Sequence, residues 1–513
     1  MMTRSSGLTL LHSIDQNNLA ERGFQVKHMK KIYQNARKVQ VWLGSDNDDS
    51  QADVAVKAIE AISSALNAKL DLAQQDAHGN SKTYQELLLA QKDSLPSPRQ
   101  IGVDAEEVYR ALAWFYSHRY FTRIWVIQEI SANQQREINI GAFKTSWDHL
   151  DLVASYLDIE PRLSATPYFS KAHCWWVSTI AEMTSLPDKW LSILYLASNF
   201  ECLDARDVIY GLRGLMNLGD GEELLNPDYS KPLTAVYRDA VKAALTQFKT
   251  TDVLLYAMGS EHPSWIPRWD KPMLFRNPFR FGNDVPFRPA GDSAASWSID
   301  VARSELALQG FVAGHIQFAA TYNQRWFAGS VLDSSEGRTM LKQSWTSILQ
   351  NTGALVNAAP LAQTILTALA ISLSFGFGRR LDASERLETI RAFVAYLLLI
   401  WEGDRNALER FIPSTLLQDS ASTDGHIFGK PVWDFNYPDA SIFITENGMV
   451  GCAISTSEIG DEVFVPYGST YPLVLSPNAA SGKKTNTSLG YAYVDGVMFG
   501  EMTEAAPCTV TIS

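Results

Sequence analysis

The chain has 513 residues, 46% of them hydrophobic and 19% charged, with a formal charge of −12 and a pI near 5.3. That length accommodates two or three globular domains, and the apolar content sustains a sizeable core. The acidic balance, with no run of Lys or Arg, excludes a protein that grips nucleic-acid phosphates by bulk charge, so no nucleic-acid partner is expected.

Near the start, Asn18 followed by Glu21 has capping-box spacing and predicts a helix from about that point. Val26, Met29, Ile32, Tyr33 and Ala36 make its apolar stripe. Val39, Val41 and Leu43 then alternate, with Trp42 on the opposite face, which predicts a strand covered on both sides, as in an α/β sheet. The acidic loop "SDNDDS" (45–50) lacks the glycine and distal glutamate of a calcium loop and reads as the cap of the next helix. A polar stretch, about 65–104, is expected to be a mobile insertion. "RIWVIQEI" (123–130) reads as a helix capped by Thr122, "REINIG" (136–141) as a strand, and Ser146 as the start of another helix.

Beyond residue 160 a mainly helical region is expected to run to 425. It contains a helix capped by Asp204, a second after "NPDYSKP", and a Pro/Trp-rich connector over about 255–300. "LAQTILTALAISLSFGFG" (361–378) carries Ser, Thr and Gln along its length and reads as a buried helix, so no membrane span is expected. Residues 426–513 alternate short apolar runs with Gly and Pro, which predicts a small β-rich module, barrel-like or a curled sheet.

Signs of chemistry are few. No phosphate-cradling glycine loop, H-E-x-x-H or G-x-S-x-G occurs, and the nine histidines have no metal-ligand spacing, so neither a metal nor a cofactor is assigned. Cys174, Cys202, Cys452 and Cys508 are scattered and form no C-x-x-C pair, which suits free thiols in the cytoplasm. His173 beside Cys174 is a poor nucleophile pair, because adjacent residues seldom face each other. Arg123, Gln128 and Glu129 stand out in an apolar segment, either as a structural polar network or as a carboxylate of shifted pKa facing a cleft. Asp15 either caps the first helix or lies where an α/β sheet presents its ligands. Trp265 and Trp269 read as a packed connector, with a peptide platform as the alternative.

"SIDQNNLAERGFQVKHMKKIYQNARKVQVWLG" (13–44) resembles the central signature of the fungal heterokaryon-incompatibility (HET) domain. Gln16, Glu21, Arg22, Gln25, Val26, Met29, Ile32, Tyr33, Ala36 and Val41–Gly44 match in order, and Phe121, Arg123, Trp125, Gln128 and Glu129 match a second signature. "DARDVIYGLRGL" (204–215), "PDYSKP", "PSWIPRW" and the tail resemble the stretches that follow it. Relative to the family the start looks truncated: the leading Ser-Tyr-x-Trp-Gly strand is absent, and Ser13 and Asp15 replace the usual Cys and Asn.

The resemblance implies an N-terminal α/β domain over 1–160, with a parallel-type sheet like that of Toll/interleukin-receptor domains. It implies a role in non-self recognition and programmed cell death through protein partners of unknown identity, with self-association left open. The alternatives are an NAD-consuming hydrolase, with Glu129, Arg123 and Asp15 as its catalytic groups, or an inactive member of the family.

Overall fold

The computed structural model describes residues 15, 17–44, 49–70, 83–160, 169, 172–185, 187–257, 262–273, 285–376, 383–429, 440–478 and 485–513. The leading segment before Asp15, Gln16, most of the acidic loop and residues 71–82 of the expected insertion lie outside them. The chain divides into two compact units, Met1–Val236 with Trp269–Pro272, and Tyr237–Arg268 with Met273–Ser513.

In the first unit, helix α1 (Leu19–Asn35) is capped by Asn18, whose side chain accepts the Glu21 N–H at 3.1 Å. Gly23, Val26, Met29 and Tyr33 form its buried stripe. Gly23 is small for a steric reason: a Cβ there would lie 2.8 Å from the Pro227 carbonyl oxygen. Strand β1 (Val39–Trp42) pairs in parallel with β2 (Arg136–Ile140), which pairs antiparallel with β3 (Phe143–Ser146). The described sheet is therefore mixed, not purely parallel, because β2 and β3 are joined by a tight turn through Gly141 at φ 53°.

Val39, Val41, Ile138 and Ile140 face the core. Over that sheet lie α2 (Asp49–Asn67), which contacts β3, and α6 (Trp147–Ile159), which contacts β2 and β3. Trp42 is 53% exposed, so the expectation of a strand covered on both faces is corrected. A strand's period of two places Trp42 opposite Val41, on the face that the helices do not cover.

Residues 83–104, expected to belong to a mobile insertion, include α3 (Tyr84–Ala90), closed by a Thr83–Glu86 capping box, with Leu87 and Leu88 buried. Further on come α4 (Glu106–Tyr116) and α5 (Ile124–Ser131). The residue before α5 is Arg123, and Thr122 does not cap it: the Thr122 hydroxyl donates instead to the Arg119 carbonyl at 3.0 Å. Ser146 caps α6 as expected. Further helices are α7 (Cys174–Ser185), α8 (Trp190–Ala197), the short α9 (Asp207–Tyr210) and α10 (Leu233–Phe248), within which the division between the units falls.

The second unit is built on an eight-stranded sheet. Strand β4 (Trp297–Asp300) pairs with the start of β5 (Glu305–Tyr322). The others are β6 (Ala440–Thr445), β7 (Val450–Ala453), β8 (Glu462–Pro466), β9 (Leu473–Pro477), β10 (Asn486–Val494) and β11 (Cys508–Ile512). Successive pairings β5–β6, β6–β7, β7–β10, β10–β9, β9–β8 and β8–β5 return to their origin, so these strands close into a barrel. Closure leaves no unpaired edge in the ring.

β5 makes the closure possible because it is long and bent. Its middle pairs with β8 and its end with β6, and the register slips at Val312/Gly314 and Ile316/Phe318. Phe311, Ile316, Phe443, Val463, Val474 and Val494 fill the interior.

The strands thus begin well before residue 426, in a stretch expected to be connector and helix. The glycines and bulges of β5 interrupt its alternation, which hid the strand. Helices α11 (Ser335–Leu355), α12 (Gln363–Leu373) and α13 (Ala383–Ile400) lie between β5 and β6 in the chain. α12 is the apolar helix expected from the sequence, with Leu366, Leu369 and Ile371 buried. Among the described residues no helix is long and apolar enough to cross a membrane.

Candidate functional site

A polar cluster of the first unit centres on Arg22, near the start of α1. Its guanidinium reaches Asp204 at 3.0 Å and Asp207 at 3.3 Å, and lies 3.6 Å from the centre of the Tyr229 ring. Tyr229 donates its hydroxyl to Asp207 at 2.5 Å. Arg206 grips Asp204 with two N–H groups, at 2.8 and 2.9 Å, and donates to the Tyr229 and Lys231 carbonyls. A planar fork suits this double task better than a point charge.

Burial pushes the Asp207 carboxyl up to about 6, against the opposing pull of Tyr229 and Arg22. Asp204 is also penalised by burial, but Arg206 and Arg22 hold it below the usual carboxylate range. Asp204 does not cap α9 as expected; the residue before that helix is Arg206, and the Asp204 carboxylate accepts the Arg206 N–H at 3.1 Å.

A second network surrounds Glu129 on α5. Tyr120 donates to its carboxylate at 3.0 Å, the Tyr33 hydroxyl bonds it as well, and Arg123 acts on it through its charge. Burial raises the Glu129 carboxyl, outweighing those three partners, and both tyrosine hydroxyls are raised by burial first and by Glu129 next. Gln128 is 1% exposed, and its amide nitrogen would lie 2.7 Å from a Cβ on Gly214. Chemically this is an acid kept toward its neutral form between two phenols.

The structure brings Glu129 and Arg123 into one electrostatic neighbourhood and does not join Asp15 to them by any hydrogen bond or ion pair. Asp15 is exposed, and its carboxylate accepts the Asn17 N–H at 2.9 Å. The cap of α1 is Asn18, so the reading of Asp15 as that cap is corrected. Arg123 is exposed; its backbone forms a parallel bridge with Glu201.

His173 and Cys174 make no nucleophile pair. Burial drives the Cys174 thiol far up and lowers the His173 imidazole, so neither ion of a thiolate–imidazolium pair is favoured. All four cysteines are free. Trp265 and Trp269 are each fully buried, which fits packing and leaves no indole face for a peptide. Among the described residues no group of three His, Cys, Asp or Glu side chains is placed to hold a metal ion.

The Arg22 cluster was not singled out as a site by sequence reasoning. Arg22 and Asp207 lie 185 positions apart along the chain, and Tyr229 is farther still. The available signal was that Arg22, Asp204, Asp207 and Tyr229 all fall within stretches that resemble the family's motifs.

Comparison with known proteins follows the same outline. Residues 12–129 match the family described as heterokaryon incompatibility protein (HET), and residues 436–508 match the Het-6 beta-barrel domain. The chain is similar to heterokaryon incompatibility protein 6, OR allele, of Neurospora crassa. The two are 23% identical over 576 aligned residues, covering 96% of this chain and 81% of that protein. No solved structure matches. One family match thus falls on the α/β unit and another on the closed barrel, and a relative runs alongside nearly the whole chain, so the chain carries a region similar to the HET family and a region similar to the Het-6 beta-barrel domain.

Proposed function

We propose that the protein acts in heterokaryon incompatibility, taking part in non-self recognition between fungal cells and promoting cell death through contacts with protein partners in the cytoplasm. The observation that carries this reading is the relative's name together with its alignment across both matched regions. The polar clusters agree with it. The groups around Arg22 and Glu129 are engaged with one another, as expected of side chains that hold a recognition scaffold together. The test is induced expression in a fungal host. Growth arrest is expected from the intact chain and not from Arg22→Ala, and normal growth with the intact chain at high expression would overturn the proposal.

A second reading, cleavage of NAD on a Toll/interleukin-receptor-like α/β domain, draws support from the raised Glu129 carboxyl, since shifted acids gather at catalytic sites. There Glu129 would stabilise the developing oxocarbenium charge with Arg123 beside it, and Asp15 would lie at the ligand end of the domain. Glu129→Gln decides between the two. Retained growth arrest with NAD levels untouched favours the signalling reading, whereas loss of both arrest and NAD consumption favours the enzyme.

A further inference from the structure

The helical part of the second unit contains a groove that none of the preceding argument uses. Helix α11 ends at Leu355, and the chain then turns sharply. The Val356 N–H donates to Thr352, the Ala358 N–H to Gly353, and the Leu361 N–H to the Phe411 carbonyl at 2.8 Å. Asn357 takes φ 50° to make the turn, a conformation that asparagine tolerates better than most residues. The hollow between this turn and Phe411 measures about 470 Å³, within the range of small-molecule sites.

Its composition is asymmetric. Leu349, Leu361 and Phe411 line it and are each more than nine-tenths buried, so they form an apolar floor. Gln350, Asn357 and Arg410 also line it and contribute polar groups. Arg410 is its one charged lining residue, and its guanidinium carbon lies 4.5 Å from the centre of the Phe411 ring. Stacking on the ring holds the cation beside the floor while leaving its in-plane N–H donors open. Among the described residues the side chains of Arg410, Gln350 and Asn357, all exposed, have no hydrogen-bond or ion-pair partner within the protein. In a chain of net charge −12, this arginine has no carboxylate within the protein and presents its donors at the open side of the groove.

We propose that this groove binds a small amphipathic carboxylate, its apolar body on Leu349, Leu361 and Phe411 and its carboxylate held by Arg410. The charge selects an anion, the fork geometry suits the two oxygens of a carboxylate, and the floor requires an apolar body. Gln350 and Asn357 supply further donors at the same site.

Isothermal titration of the full chain with decanoate, below its micellar range, tests this. Saturable one-to-one binding is expected, with decyltrimethylammonium, which has the same chain and the opposite charge, binding at least about tenfold more weakly. Arg410→Gln should weaken decanoate about tenfold or more, the usual worth of a charge-assisted hydrogen bond. Ala354→Trp, which fills the groove from an exposed position, should abolish binding. Far-UV circular dichroism checks that each variant folds, and either variant alone, with the head-group comparison, is decisive. The proposal is overturned by an isotherm unchanged in a folded variant, by equal affinity for the cationic chain, or by no saturable binding to the unmodified protein.

Discussion

The guanidinium of Arg22 lies over the ring of Tyr229, 3.6 Å from its centre, while the Tyr229 hydroxyl donates to Asp207, the same carboxylate that Arg22 pairs with. One arginine thus ties α1 to two stretches of chain that follow the matched HET region, residues 204–207 and 229. Removing it leaves Asp204 to Arg206 and Asp207 to the Tyr229 hydroxyl alone, and uncovers an aromatic face.

Arg22→Ala should therefore destabilise the first unit by about 1–3 kcal/mol, the usual worth of a hydrogen bond to a charged group, because the pair is part-buried and both aspartates keep another partner. Arg22→Lys keeps the charge and loses the fork, and should recover only part of that loss. Urea denaturation followed by tryptophan fluorescence measures both. A lysine variant as stable as the parent would show that charge alone suffices.

Glu129 predicts a pH effect. Its carboxyl is raised above the unfolded value by burial, so its contribution to stability is fully present below the unfolded pKa and is lost as pH rises through the folded one. Glu129→Gln imitates the protonated acid. Relative to the parent it should gain stability steadily as pH climbs out of the carboxylate range. Melting temperatures of the pair that run parallel across pH would refute the assignment.

Asp151, on α6, is a stronger case. It is 7% exposed, and burial pushes its carboxyl up to about 8; Asp148 adds to the rise, and Arg136 opposes it. The sign is the same: ionising Asp151 costs the folded state, and the penalty grows from the unfolded pKa up to about 8. Asp151→Asn should stabilise the protein, and its advantage should be about 2–3 kcal/mol larger at pH 7 than at pH 5. Uptake or release of protons on unfolding, followed with an indicator dye near pH 6.5, is an independent check: the parent should release one more proton than the variant.

Gly310, in β5, probes the closure of the barrel. A Cβ at this position would fall 2.1 Å from the Val465 carbonyl oxygen, on the strand that β5 pairs with. The backbone must move to admit a methyl group, and Gly310→Ala should cost several kcal/mol, at or above the usual 1–3 kcal/mol of overpacking. Gly403→Ala is the control, because a Cβ there meets nothing within 4 Å and the cost should come only from its φ of 80°. Equal melting temperatures for the two variants would contradict this close approach.

Much of the fold was legible in the sequence because it depends on local spacing. The Asn18 cap, the α1 stripe, the alternation of Val39 and Val41, the helix containing Glu129, the Ser146 cap and the apolar run of α12 are all set by residues within a few positions of one another. The same locality allowed errors of one turn. Asp15, Thr122 and Asp204 are as good caps by type as the residues actually found at the helix starts, and only packing decides which carbonyls and N–H groups are left to satisfy.

The tertiary structure decided what sequence order cannot express. Sequence alone determined the family resemblance, the order of the α/β and β-rich regions, and the absence of metal-ligand spacing. It did not determine that β2 turns back antiparallel, that Trp42 faces outward, or that β5 bends to pair with β8 and then with β6. Nor did it show that Arg22 would meet Asp204, Asp207 and Tyr229, or that Glu129 would sit between Tyr33 and Tyr120. The physical reason is the same in each case. Pairing partners, burial and pKa shifts are properties of groups distant in the chain, and they come into being only when the chain has folded them together.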